Sequence, residues 1–211
     1  MLDRLKHDIS PFPQDDLMLN TIKRDGVSRF NISPFSFPAI VVGRASNVHK
    51  EVKLADALSD RIPIFRRKGG GCSVFLDPGS LIVSAVFPAE GYSEIKAIFN
   101  KSNFWLINGL RKSGITSVCH DGISDITINN KKVGGSCFYR TKGFAYFSAS
   151  IIVSTDLQML EKYLYHPPRE PDYRNGRNHL EFVATLDSYF KELNIQDLSH
   201  RLKMNLEPIN L

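Results

Sequence analysis

No stretch of this 211-residue chain carries the roughly 20 consecutive apolar residues that a membrane-spanning helix needs. Its opening residues, MLDRLKHDIS, lack the apolar stretch of a secretion signal. Cysteine is scarce: Cys72, Cys119 and Cys137 show neither paired nor C-x-x-C spacing, which argues against a disulfide scaffold and a zinc site. A reducing compartment is the simpler reading, and a cytoplasmic location with no membrane association is expected. Lys and Arg exceed Asp and Glu by 27 to 22, which favours acidic partners. The charges are scattered without a dense basic block, so nucleic acid is not indicated. No internal repeat or low-complexity tract appears.

What is present is a 42% apolar composition at a length that buries a sizeable core, so residues 1–211 are expected to form a single domain. Pro13 to Gly26 reads as a helix ended by its glycine. Ala39 to Gly43 reads as a buried strand, and Asn47 as the cap of a helix carrying Val48, Val52, Leu54 and Leu58. Ser93 to Lys112 has a helical pattern stopped by Gly114, although Asn103 and Gly109 weaken its middle. From Ser124 the period switches to two: SDITIN, a turn at Asn129-Asn130, KKVGGSCFYR, a Thr-Lys-Gly turn and FAYFSASIIVS read as an antiparallel meander. Asp156 to Tyr165 and Leu180 to Leu193 read as helices, joined by the long Pro- and Arg-rich loop HPPREPDYRNGRNH. The class this predicts is α+β, a mixed or antiparallel sheet flanked by helices.

The most informative segment is Ile62 to Ser84, where Arg66 and Arg67 run into Gly69, Gly70 and Gly71 between two strand-like apolar runs, a Gly-rich hairpin. Three adjacent glycines are costly inside a helix or strand and suit a tight turn, or a ligand lying against bare backbone. Backbone N–H groups and cations converging on such a turn suit an oxygen-rich acyl or phosphate group. For an isolated glycine triplet an ordinary surface turn is the more common explanation.

The ordered set DDLMLN, VVGRASNVHKEV, RRKGGGCSVFLDPGSL, SDITINNKKVGGS and TDLQMLEKYL resembles the catalytic domain of the lipoate–protein ligase and octanoyl/lipoyl-transferase superfamily, over roughly Pro13 to Leu186. That superfamily includes biotin ligases, whose Gly-Arg-Gly-Arg signature is missing here, so biotin is disfavoured. The resemblance implies a biotin/lipoate-ligase-like fold without a fused accessory C-terminal domain. It implies that Lys132, in NKKVGGS, is the family's essential lysine. It also implies that Arg44 and Asn47 of GRASN, Arg66 or Arg67, Gly70, Gly71, Val74 and Asp125 contact substrate, with an apolar acyl slot along the Val74 and Ile82 strands. Leu76 replaces the loop histidine usual in ligases, and Phe147, Ser148 and Ala149 replace a His-His or His-Gly pair. Both departures resemble the cysteine-dependent acyltransferase branch, whose nucleophile falls near Cys119.

The leading expectation is therefore an enzyme that transfers an octanoyl or lipoyl group to a carrier lysine through a Cys119 acyl-thioester, needing no cofactor or metal. Placing the Lys132 ammonium beside Cys119 would favour the thiolate and stabilise charge on the acyl carbonyl. His120 is left out, because adjacent residues of an extended strand point to opposite sides. A ligase using ATP and Mg²⁺ to form lipoyl-adenylate from lipoate or octanoate, served by a separate accessory protein, is the alternative. A non-catalytic binder of lipoyl domains is the third. The implied partners are acidic carriers: lipoyl domains, a glycine-cleavage H-type protein or acyl carrier protein, docking on Arg169, Arg174 and Arg177. The chain itself is expected to be a monomer. Cys137 and Cys72 read as packing residues, with Cys72 a distant second nucleophile. His49, His166 and His179 have no metal-ligand spacing.

Overall fold

The computed structural model describes residues 9–89, 95–141 and 143–210. After β1 (Ser10–Pro11), helix α1 (Pro13–Asp25) opens on proline, carries Asp15 and Asp16 in its first turn and Lys23 and Arg24 in its last. Gly26, at φ 70°, closes α1 by donating its N–H to Ile22 O. β2 (Arg29–Pro34) and β3 (Ala39–Val42) follow, then α2 (Val48–Glu51), α3 (Leu54–Ser59), β4 (Ile64–Arg66), β5 (Val74–Leu76) and β6 (Ser80–Ala89). The second half holds α4 (Ile95–Lys112), β7 (Cys119–Asp121), β8 (Asp125–Ile128), β9 (Lys131–Thr141), β10 (Gly143–Ile152), α5 (Gln158–Tyr163), α6 (His179–Phe182) and α7 (Ile195–Asn205).

Two sheets form, one of four strands in the order β1-β4-β3-β5 and one of six in the order β2-β6-β10-β9-β8-β7. Strand β6 is buried at nine of its ten positions, because both of its faces are covered. Leu81, Val83, Ala85 and Phe87 face a core completed by Leu106, Ile107 and Leu110 of α4 and Leu198 and Leu202 of α7. On the alternate face, Val86 packs with Met18, Leu19 and Ile22 of α1, and Ile82 packs with Phe12, Val41 and Leu76 where the two sheets meet. The small sheet's other side packs on α2, α3 and α5 through Ile40, Val42, Val48, Leu54, Phe75 and Leu160.

The α+β class holds, as do α1, β3, the Gly114 stop at φ +96° and the meander β8-β9-β10. Asn129 and Asn130 take left-handed φ of 49° and 60°, as the two-residue turn between β8 and β9 requires. The residues that weaken α4 have tertiary partners. Asn103 accepts a 2.6 Å hydrogen bond from Ser136, and a Cβ on Gly109 would lie 2.4 Å from Leu206 Cδ2. The expected start of this helix at Ser93, and Lys142 of the Thr-Lys-Gly turn, lie outside the described residues.

Three expectations need correction, and one helix lies outside them. The Gly-rich segment is not a hairpin: β4 and β5 flank β3 on opposite sides, β4 parallel and β5 antiparallel to it. The helix capped by Asn47 ends after one turn, where Val52 forms a bridge with Leu164, and resumes as α3. The helix expected over Leu180–Leu193 is the short α6 followed by a 3₁₀ turn at Leu186–Ser188. Between them Val183 bridges Lys132 and Ala184 N–H donates to Lys132 O, so tertiary strand pairing overrides the apolar helical spacing. Finally α7, capped by the Asn194 side chain on Gln196 and Asp197 N–H, lies beyond the elements read from sequence.

Candidate active site

The Gly-rich loop is held from both ends and from beneath. Lys68 N–H donates to Asp15 Oδ2 at 2.6 Å, and Ser73 N–H to Glu51 Oε2 at 2.6 Å, so two buried carboxylates from α1 and α2 bracket it. Burial pushes the Asp15 carboxyl above its ordinary range despite the bonds from Lys68 and the Tyr146 hydroxyl. Both predicted arginines are committed to the backbone. Arg66 Nη1 donates to Gly43 O at 2.8 Å and reaches the carbonyls of Arg44 and Ser46, fastening this loop to the GRASN turn. Arg67 donates to the carbonyls of Val41, Gly70 and Cys72 at 2.7–3.1 Å. Arg44 N–H and the Ser46 hydroxyl engage the carbonyls of Gly69 and Gly71.

With its carbonyls engaged in this way, the loop has four successive N–H groups, from Gly69 to Cys72, without a partner among the described residues. Gly70 is exposed and a Cβ there would meet nothing within 4 Å, whereas Gly71 sits at φ +90° and Gly69 lies so close to β9 that a Cβ would fall 2.4 Å from Cys137 Sγ. Asn47 caps α2 by accepting from His49 N–H, and the exposed Arg44 guanidinium lies 5.8 Å from the Tyr139 ring centroid. Val74 packs in the apolar cluster that contains Ile82 and Phe65, beside the loop.

Lys132 is the second focus. Its Nζ lies 2.7 Å from Asp125 Oδ1, whose carboxylate is 93% buried, while Asp125 Oδ2 accepts from the Tyr173 hydroxyl at 2.8 Å. Gly135, paired with Asp125 across β8 and β9, leaves room for this contact: a Cβ there would be 3.0 Å from Lys132 Cε and 3.1 Å from Nζ. The register shifts between Ile126 and Thr127, which brings Lys132 opposite Thr127. Thr127 also pairs with Cys119, so Cys119, Thr127 and Lys132 stand in line across three strands with side chains on one face. Thr127 Oγ1 hydrogen-bonds Asp121 Oδ2 on that face.

Strand pairing extends this face to the Gly-rich loop. Gly135 is opposite Ser150 and Cys137 is opposite Ser148, so the Lys132–Asp125 pair and Cys137, on which Gly69 rests, share the side away from α4. Cys119 is exposed, its sulfur 3.9 Å from Ser117 O, and the ammonium expected beside it is paired with Asp125. His120 turns to the other side, with its ring 6.1 Å from that of Phe104 on α4.

The Pro- and Arg-rich segment 166–178 crosses the same neighbourhood. Cys72 Sγ approaches Arg169 O at 3.6 Å, Tyr173 bonds Asp125, and Arg177 donates to Asn130 O at 3.1 Å. As a docking surface its arginines differ from expectation. Arg169 is exposed, but Arg174 is 4% exposed with its guanidinium 4.7 Å from the Phe182 ring centroid, and Arg177 is spent on backbone carbonyls. Sequence reasoning missed Asp15, Glu51, Gly135 and Tyr173. The paired acids of DDLMLN and the second glycine of VGGS were the available signals.

This fold is the one found in solved lipoate-ligase catalytic domains. Lipoate-protein ligase A bound with ATP superposes with a TM-score of 0.73 at 24% identity, covering 90% of this chain and 76% of that one. A bi-partite lipoate protein ligase studied with its E2 lipoyl domain, from Thermoplasma acidophilum, gives 0.73 at 22% identity, covering 93% and 78%. Residues 14–207 match the lipoyl protein ligase A/B catalytic domain, and the chain belongs to that family. Among curated relatives, the lipoate-protein ligase A of Psychrobacter cryohalolentis is 27% identical over 186 residues, 88% of this chain and 52% of that protein. The chain spans between 36% and 52% of the length of such relatives.

Proposed function

We propose that this chain is the catalytic part of a lipoylation enzyme that joins a lipoyl or octanoyl group to a lysine of a lipoyl-carrier domain, with ATP activating the acyl carboxylate. The observation that carries this reading is the row of N–H groups from Gly69 to Cys72, without a partner among the described residues, on the same side of the sheet as Lys132. Such a row suits phosphate or acyl oxygens; the Arg67 guanidinium acts beneath it by holding the carbonyls of Gly70 and Cys72, while Arg66 fastens the loop to the GRASN turn. With ATP as co-substrate, the acyl carboxylate oxygen would bond the α-phosphorus as the bond to the β-phosphate oxygen breaks and pyrophosphate leaves, so that AMP becomes the leaving group on the acyl carbon. Mg²⁺ would accompany the phosphates of ATP, whose oxygens are its usual ligands. The apolar cluster of Val74, Ile82 and Phe65 suits the acyl chain. As the acceptor amine attacks, an amide bond forms and the bond from acyl carbon to phosphate oxygen breaks. The Lys132 ammonium donates to the oxygen that gains charge, and the amine proton leaves to solvent. Pyrophosphate release on adding lipoate and ATP tests the nucleotide activation, and loss of acyl transfer to a lipoyl domain in Lys132→Ala tests the lysine; ATP-independent transfer overturns the reading.

A second reading keeps Cys119 as a covalent relay, and the alignment of Cys119, Thr127 and Lys132 on one face favours it. The thiolate would attack an acyl thioester, expel the donor thiol and then pass the acyl group to the acceptor amine, regenerating its sulfur. Acidic lipoyl domains or an H-type protein fit the positive balance of the chain as acceptors in either reading, and acyl carrier protein fits as donor in the second.

A further inference from the structure

The segment 166–178 does more than pass near the Lys132 ion pair, because one of its side chains completes it. Asp125 is the junction: Oδ1 lies 2.7 Å from the lysine ammonium and Oδ2 accepts from Tyr173 at 2.8 Å. A carboxylate bonded through one oxygen keeps a soft terminal torsion, whereas bonds to both oxygens from opposite sides fix its plane. The Tyr173 ring is itself fixed, 5.3 Å from the Phe182 ring centroid, and Arg174 and Arg177 cover Phe182 at 4.7 and 5.2 Å. Arg177 then donates to Tyr173 O at 2.8 Å and to Asn130 O at 3.1 Å, in the turn that leads into Lys131 and Lys132. Pro171 comes within 3.3 Å of a Cβ built on Gly122, in the turn before Asp125.

We propose that Tyr173 is a positioning residue for acyl transfer: by occupying Asp125 Oδ2 it aims Oδ1 at Lys132, so that seating of the 166–178 segment sets where the ammonium points. This rests on the reading of Lys132 as the group that meets the acyl oxygen. The groups around the pair are Asp121, Thr127, Tyr173, Arg174 and Arg177, and of these Tyr173 donates directly to the carboxylate. Burial, with the Asp125 charge added, holds the phenol well above its ordinary pKa, so it remains a donor throughout the working pH range.

The test uses Tyr173→Phe, which keeps the ring on Phe182 and removes the O–H. Transfer kcat is expected to fall about tenfold while KM for the acyl substrate stays within about threefold, the loss associated with one hydrogen bond to a charged group. Without substrates, the rate at which acetic anhydride labels Lys132, read by peptide mass spectrometry, is expected to rise severalfold. The double variant Asp125→Asn/Tyr173→Phe should lose no more than Asp125→Asn alone, as a residue acting through Asp125 demands. Unchanged labelling in Tyr173→Phe, unchanged kcat, or additive losses in the double variant would overturn the role. Lys132→Ala is measured alongside. If it retains transfer, the reading of the lysine fails; if it is inactive while Tyr173→Phe behaves as the parent, the positioning role alone fails.

Discussion

The Lys132 ammonium lies 2.7 Å from Asp125 Oδ1, over backbone that Gly135 leaves bare. A methyl at 135 would meet the far end of a flexible side chain first, 3.0 Å from Lys132 Cε and 3.1 Å from Nζ, and then Asp125 Oδ1 at 3.7 Å. Gly135→Ala should therefore unfold at nearly the parent temperature, yet lose acyl transfer by about tenfold or more as the ammonium is displaced from its aimed position. Thermal unfolding and steady-state kinetics separate the two effects, and a variant equally stable and equally active would count against the geometry.

Gly69 meets a harder obstacle. Its Cβ would fall 2.4 Å from Cys137 Sγ and 2.8 Å from Cys137 Cβ, so the loop must lift from β9. Gly69→Ala should cost about 1–3 kcal/mol in urea unfolding, the range for overpacking. Cys137→Ala in the same chain should recover part of that loss, because the two positions share one contact.

Asp15 offers a test by pH. Burial raises its pKa, so the folded chain holds this proton more tightly than the unfolded chain does. The resulting stability is fully present below the ordinary carboxyl value of about 3.9 and is lost as pH rises through the higher folded value. Asp15→Asn keeps an acceptor for Lys68 N–H without the buried charge, so at pH 7 it should match or exceed the parent in urea midpoint, with the gain shrinking toward pH 4. A clear loss at pH 7 would contradict this.

His179 behaves in the opposite sense. Burial lowers its pKa from 6.5, and Nε2 lies 3.2 Å from Tyr165 O. The folded chain takes up this proton less readily, so stability is full above about 6.5 and falls as pH drops from there through the lower folded value. His179→Gln should flatten that slope in urea midpoints measured between pH 5 and 7; an unaltered slope would assign it to other groups.

The parts of the fold legible in the sequence are those governed by local chemistry. Gly26 closes α1, Asn47 caps α2 and Asn129-Asn130 turn β8 into β9, because each requirement is satisfied within a few residues. The Gly-rich stretch reads as a hairpin from local pattern alone, since nothing in Ile62 to Ser84 says that β3 will lie between its strands. Leu180 to Leu193 has helical spacing, but Val183 pairs with Lys132 and the helix stops. In the site, the loop is legible as an arginine–glycine run and Lys132 through the resemblance. The carboxylates Asp15 and Glu51 reach the loop from 53 and 22 residues away, separations at which no spacing rule operates. The commitment of Arg66 and Arg67 to carbonyls likewise appears only once the GRASN turn is folded against them.

The central claim, acyl activation by nucleotide at the Gly-rich loop with Lys132 meeting the acyl oxygen, is tested most directly by intact-mass measurement of the chain and a lipoyl-domain acceptor mixed with lipoate, with and without ATP, in parent and Cys119→Ser forms. The account predicts that the acceptor gains one lipoyl group only when ATP is present, equally in both forms. A hydroxylamine-sensitive adduct on the parent chain formed from an acyl-carrier donor without ATP, and absent in Cys119→Ser, would contradict it and establish the cysteine relay.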